Sequence, residues 1–350
     1  MKNSFKSIGS FLALSAAIIG SFLFSSCGDD ASTLLRQASG KAGEVIVVCG
    51  KGWWEGDVGV AIRDVLAADY PLLPQKEASF DLINVPDNTF TDIFKTHRNI
   101  VMVKIGSSVE NTRVAIRQDV WSTPQVIVTI TAKTAEEAIE LIKDKSETIF
   151  NAIEQAERNR IIRSSKRYEE VSLRNTVAER LGGSPYFPTG YSLKKITDDF
   201  IWISYETTYT NQGFFAYRID ISDLILHSNG QTPEITLDML VSARNVVMER
   251  NVPGMFEGSY MTTAQGEEQT PVLKWMKYKG RDFGELRGLW EVQNDFMGGP
   301  FVQHIFYDKD GQNLIVLEGF VYAPKYDKRN YLRQLEAILY SFEWEEDFNK

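Results

Sequence analysis

Two cysteines and three histidines in 350 residues leave little material for metal or thiol chemistry. His97, His227 and His304 lie far apart, with no i, i+3 or i, i+4 pair, and no cysteine pair exists. The ligand spacings of a zinc site are therefore missing. No Gly-x-Ser-x-Gly elbow is present, which removes the usual serine-hydrolase signature. Gly50-Lys51-Gly52-Trp53-Trp54-Glu55 has a glutamate where a dinucleotide fingerprint needs glycine, and no Gly-Lys-Ser/Thr closes it as a phosphate loop. "DKDGQN" (308–313) lacks the terminal glutamate of a calcium loop and reads as a hairpin turn. With 47 acidic residues, sequence alone cannot choose a glycosidase-like carboxylate pair. The reading assigns no catalytic residue, no metal ligand and no cofactor. A net charge of −9 is a poor match to phosphate backbones, so nucleic acid is not an expected partner.

Long apolar runs are also scarce, with one exception at the amino terminus. Lys2 and Lys6 precede a mostly apolar stretch from Ile8 to Phe24, the pattern of a secretory signal and short for a membrane span. Phe24-Ser25-Ser26-Cys27 resembles a bacterial lipobox. Residues 1–27 are expected to be a lipoprotein signal peptide, with Cys27 the site of lipid (palmitate) attachment. Several acyl chains give firm anchoring, because each buried methylene contributes about 0.8 kcal/mol. Removal of this segment takes two lysines and no acid, so the mature chain is more acidic still. Gly28 in place of an aspartate argues against inner-membrane retention. Asp29 and Asp30 resemble a surface-export patch, but read equally well as a solvated tether over 28–42. The expected address is the outer membrane, with the periplasmic or cell-surface side left open.

The rest of the chain alternates strand and helix patterns at first. "EVIVVC" (44–49), "SFDLINVP", "NIVMVKIG" and "TPQVIVTITA" read as strands, with helical spacing between them. This predicts a layered α/β unit over 43–165. Thr134 and Glu137 form a capping box that opens a long helix with an apolar stripe through Ala138, Ile142, Ile149, Ile153 and Ala156. The charged segment after Ala156 is the candidate boundary. Over 166–350, runs such as "DFIWISYETTY", "FFAYRIDI", "GELRGLWEV", "FVQHIFYD" and "NLIVLEGFVYAP" follow one another through short turns. They predict an antiparallel sheet with packed helices, an α+β unit. "DKRNYLRQLEAILYSF" closes the chain as an amphipathic helix.

Cys49 sits in an apolar strand, where a thiol packs as a small hydrophobe. Trp53 and Trp54 stand in what reads as a short glycine-rich turn, where both rings cannot easily be buried. They are the candidate contact residues for a partner or ligand.

"LLPQKEASFDL", "HRNIVMVKI", "DFIWISYETTYTNQGFFAYRI", "MGGPFVQHIFYD" and "VYAPKYDKRNYLRQLEAILYS" together resemble the DUF4837 family of Bacteroidetes lipoproteins. Pro74, Arg98, Asn99, Gly298, Gly299 and Pro300 look like family motif positions. The resemblance implies an envelope location and supplies no activity, so no catalytic residue follows from it. The expected function is non-catalytic binding or scaffolding by an outer-membrane-anchored lipoprotein, with an envelope protein or glycan as partner. The alternative is glycan binding or hydrolysis in an aromatic-lined cleft.

Overall fold

The computed structural model describes residues 35–225, 235–266 and 269–348. Cys27, the proposed tether up to Leu34, and His227 lie outside these ranges. The first unit opens with a two-residue strand, β1 (Arg36–Gln37), then β2 (Glu44–Val48), α1 (Lys51–Glu55), α2 (Asp57–Leu66), β3 (Asp81–Val85), α3 (Asp92–Lys95), β4 (Asn99–Ile105), β5 (Arg113–Gln118), β6 (Ser122–Thr123) and β7 (Val126–Ala132). The sheet order is β3-β2-β4-β7-β5, parallel except for the edge strand β5. Both faces are covered, which is why β2 is apolar at successive positions. Val45, Val47 and Cys49 pack under α2 and two later helices, while Ile46 and Val48 face a thinner layer with Phe90, Phe94 and Trp121.

Two helices follow where the sequence predicts one. α4 (Ala135–Asp144) and α5 (Ser146–Arg167) part at Lys145. The capping box is also half formed. Thr134 accepts from the Glu137 backbone N–H, but the Glu137 carboxylate reaches past Thr134 to the Lys133 N–H and the Thr112 hydroxyl. α5 serves two cores: Ile149 and Ile153 enter the first, Ile162 the second.

The second unit comprises α6 (Val171–Leu181), β8 (Gly183–Ser184), β9 (Ser192–Ile196), β10 (Phe200–Glu206), β11 (Asn211–Asp220), α7 (Ile221–Ile225), α8 (Leu237–Asn251), β12 (Met261–Thr263), β13 (Val272–Tyr278), β14 (Arg281–Val292), β15 (Gly298–Tyr307), β16 (Asn313–Tyr322), α9 (Arg329–Tyr340) and β17 (Glu343–Trp344). Its main sheet runs β12-β14-β15-β16-β11-β10-β9, and β13 pairs beside β12 along the outer edge of the long β14. The fold class is thus the expected one, an α/β unit followed by an antiparallel sheet with helices. α6 ends at Gly182 in the left-handed conformation, a common helix stop.

Sheet alternation places Ile315 and Leu317 toward α6 and α9, and Leu314 and Val316 toward α8. Gly213, just before the "FFAYRIDI" run, is inside β11. The Phe320 ring lies over it, and a Cβ there would come within 1.9 Å of that ring. Gly319 similarly admits Leu335, so α9 packs close on β16.

Candidate functional site

Trp53 and Trp54 are helical rather than in a turn: they lie in α1, immediately before α2. One glycine of that stretch, Gly59, lies inside α2 and serves close packing. Gly59 lets α2 approach the Trp54 carbonyl, where a Cβ would sit 1.8 Å from the oxygen. The two rings then part company. Trp54 packs against the first core with Arg63 stacked 4.7 Å from its centroid, whereas Trp53 stays 43% exposed. Cys49 beneath them is buried, and burial, followed by the charge of Asp87, pushes its thiol up to about 11. It is poorly suited to be a nucleophile.

A buried cluster of charges lies elsewhere, where the two units meet. α9 turns a stripe of Arg329, Arg333, Glu336 and Tyr340 toward the first unit and the cleft beside it, a helical spacing of four, three and four residues. At its start, the Glu77 carboxylate accepts from the backbone N–H groups of Lys328 (2.7 Å) and Arg329 (2.8 Å), capping the helix from the other unit. Arg329 pairs with Asp81 at 2.7 Å. Arg333, 2% exposed, grips Glu154 of α5 through Nε and Nη2 and donates to the Ser79 carbonyl. The stretch around 72–82 is therefore the dock for the carboxyl-terminal helix.

Deeper in, Glu336 Oε1 accepts from the Tyr70 hydroxyl (2.6 Å) and from Arg287 Nη1 (2.6 Å). Arg287 Nε donates to Glu285 Oε1 at 2.7 Å, and Tyr340 donates to Glu285 Oε2 at 3.2 Å. His304 is the cross-strand neighbour of Glu285, 3.8 Å from its carboxylate. Neither ring nitrogen of this fully buried imidazole has a hydrogen-bond partner, nor has Arg333 Nη1.

Burial works against charge throughout this cluster, and the pairing overrides it for the ions. Burial favours neutral Glu285, but the Arg287 guanidinium beside it holds its carboxyl well below the usual range. Burial likewise opposes the Arg287 cation, yet Glu336 and Glu285 raise it. For Tyr70 burial dominates, joined by Glu336, and pushes the phenol well up. Burial lowers His304, against the pull of Glu285, which leaves it neutral.

A cavity of about 370 Å³ opens onto these groups. Tyr70, Pro71 and Leu72 form one lip and Val272, Lys274 and Met276 of β13 the other, with Arg158 stacked 3.7 Å over the Tyr340 ring. A ligand entering meets fixed, alternating charges on an aromatic wall. Glu285 is ionised and committed to Arg287, which disfavours it as a proton donor. Trp275 is 57% exposed, but the sheet alternation turns it away from the Lys274 and Met276 face.

None of these residues stood out in sequence. The polar stripe on α9 was a usable signal, because those positions share a helix with buried Leu332, Leu335 and Ile338. Arg98 and Asn99 join a separate buried cluster. Glu157 accepts from Asn99 and Arg160 and lies 3.2 Å from Arg98, tying α5 to β4. Among the described residues, no three His, Cys, Asp or Glu side chains could hold a metal ion.

Residues 170–341 match the family model described as "Domain of unknown function (DUF4837)". Residues 38–166 match a different one, "Domain of unknown function (DUF8532)". The resemblance read from sequence thus narrows: "LLPQKEASFDL" and "HRNIVMVKI" fall in the second match. The curated proteins include no match. Among solved structures, the Ran-binding protein Mog1p of Saccharomyces cerevisiae is 10% identical, over 46% of this chain and 88% of its own, with a TM-score of 0.29. The human StarD13 lipid transfer and protein localization domain is 9% identical, over 49% and 95%, at 0.19. Scores this low carry no argument.

Proposed function

Because the chain belongs, over residues 170–341, to the DUF4837 family, itself without an assigned activity, we propose a non-catalytic role: a binding or scaffolding lipoprotein of the bacterial cell envelope. Lipid on Cys27 holds it at the outer membrane, and the cleft between its two units receives the partner. The observation that supports this most is the state of the cleft acids. Glu285 and Glu336 share one guanidinium, that of Arg287, beside an open cavity. Such a floor recognises polar groups by fixed complementary charge and leaves no proton to exchange. Tyr70, Phe150 and Tyr340 line it beside Glu285 and Glu336, so a glycan site with an aromatic wall stands as the second reading.

The test uses the full chain in a bacterium with an outer membrane, carrying a photo-cross-linking residue at Lys274 on the cleft lip. The chain is expected in the outer-membrane fraction, with Cys27→Ala released from it. One discrete envelope-protein adduct is expected, and Glu336→Gln should abolish it. Membrane association unchanged by Cys27→Ala would overturn the anchor. Turnover of an envelope glycan by the purified chain would overturn the non-catalytic reading.

A further inference from the structure

A further cavity, about 610 Å³, lies on the far side of Tyr340 from the cleft. Its walls are Ile162 and Lys166 of α5, the β13–β14 turn, and the segment after α9. Tyr278, Phe342 and Trp344 supply aromatic surface, and Lys279 and Arg281 supply charge. A pocket of this size, mostly apolar with a few fixed polar groups, is the usual form of a small-molecule site.

Arg281 is the anomaly. Its guanidinium is stacked 4.7 Å from the Phe306 ring and 4.9 Å from Phe342. Nη1 donates to the Phe342 carbonyl at 3.1 Å, and the buried Nε has no partner. Other arginines shielded from solvent to a similar or greater degree each hold a carboxylate: Arg160 has Glu157, Arg244 has Glu318, Arg287 has Glu285 and Glu336, Arg329 has Asp81, and Arg333 has Glu154. Arg281 forms no ion pair among the described residues. Burial lowers it to about 10, against the pull of the phenols Tyr278 and Tyr340. Arg281 is half-buried, and even partial desolvation of an unpaired cation carries a cost that an apolar chain packed there would not.

The neighbouring charges sort themselves. Glu343 is taken by Lys166 at 2.5 Å and by the Tyr186 hydroxyl at 2.6 Å. Asp347 lines the cavity too, on the carboxyl-terminal segment. Lys279 adds a second cation at the Arg281 end. It sits beside Gly280 in a two-residue turn, both at positive φ, as a tight hairpin requires.

We propose that this cavity binds a small aromatic carboxylate, its carboxyl group paired with Arg281 and its ring against Tyr278, Phe342 and Trp344. A guanidinium presents the planar donor edge that a carboxylate matches. The site is independent of the lipid anchor and of the inter-unit cleft.

Equilibrium dialysis of radiolabelled benzoate against the full chain in detergent tests this, with neutral benzamide and inorganic phosphate as competitors. Saturable binding of benzoate is expected. Benzamide should compete about tenfold or more weakly, the scale of one charge-assisted hydrogen bond. Arg281→Gln should lose benzoate by a similar factor, with a melting temperature equal to or above wild type because an unpaired cation is gone. Lys279→Gln, in an exposed turn, gives a variant that leaves the core untouched and should weaken benzoate but not benzamide. No saturable benzoate binding, equal competition by benzamide, preference for phosphate, or binding unchanged in both variants would each overturn the proposal.

Discussion

β14, β15 and β16 carry two buried polar pairs, on opposite faces of one sheet, and the pairs are built to different standards. On the α8 side, Gln303 and Glu318 are cross-strand partners. Arg244 of α8 clasps Glu318 through Nε (3.0 Å) and Nη2 (2.7 Å), donates from Nη1 to Thr263, and stacks 4.0 Å from Phe301. Gln303 completes the set by donating to Glu318 and to Tyr217. On the α9 side, Glu285 and His304 are the cross-strand partners. There the imidazole goes without a hydrogen bond, Arg333 Nη1 is unpartnered, and a cavity adjoins. A fully satisfied network fixes a core, whereas a partly satisfied one leaves buried polar groups whose desolvation is uncompensated.

The sharpest way to break this contrast is to remove one acid from each side. Glu318→Ala leaves Arg244 charged and sealed, and should destabilise by about 3–5 kcal/mol in equilibrium denaturation. Glu336→Gln keeps an acceptor for Tyr70 beside a cavity that admits water, and should cost only about 1–3 kcal/mol. Equal losses would erase the distinction between the faces.

A smaller effect separates them by pH. Burial lowers His304, and also His97, below the ordinary 6.5. Below that value the unfolded chain takes up protons that the folded chain refuses, so stability falls as pH drops through 6.5. Thermal melts between about pH 7 and 5 should show this decline, and His304→Gln should flatten it in part, His97 retaining its share. Glu285 contributes loss only further down, as pH falls below 4.5, because its folded carboxyl is held low. The groups facing His304 are Glu285 and Arg281 of β14, Arg158 of α5 and Tyr340 of α9. A slope unchanged by His304→Gln would mean the imidazole is not the titrating group.

Local signals made the fold class legible. Apolar β-branched runs and the "DKDGQN" turn of the β15–β16 hairpin act over a few residues, and each is where its pattern placed it. Failures came where a distant neighbour set the meaning of a residue. Gly213 serves close packing against Phe320 rather than a turn. The cleft was beyond reach for the same reason: Tyr70 and Glu336, 266 positions apart, meet only in the folded chain. Arg281 carries no signal in the sequence, because its lack of an acid partner is a property of the folded chain.

The placement of α9 has a consequence for how the molecule is made. Synthesis runs from the amino end, so the first unit leaves the ribosome with Glu77, Asp81 and Glu154 still waiting for Lys328, Arg329 and Arg333. Some 250 residues separate Glu77 from its partners on the terminal helix. A chain cut short anywhere before that helix carries an exposed, uncompensated acidic dock, which distinguishes an unfinished molecule from a finished one.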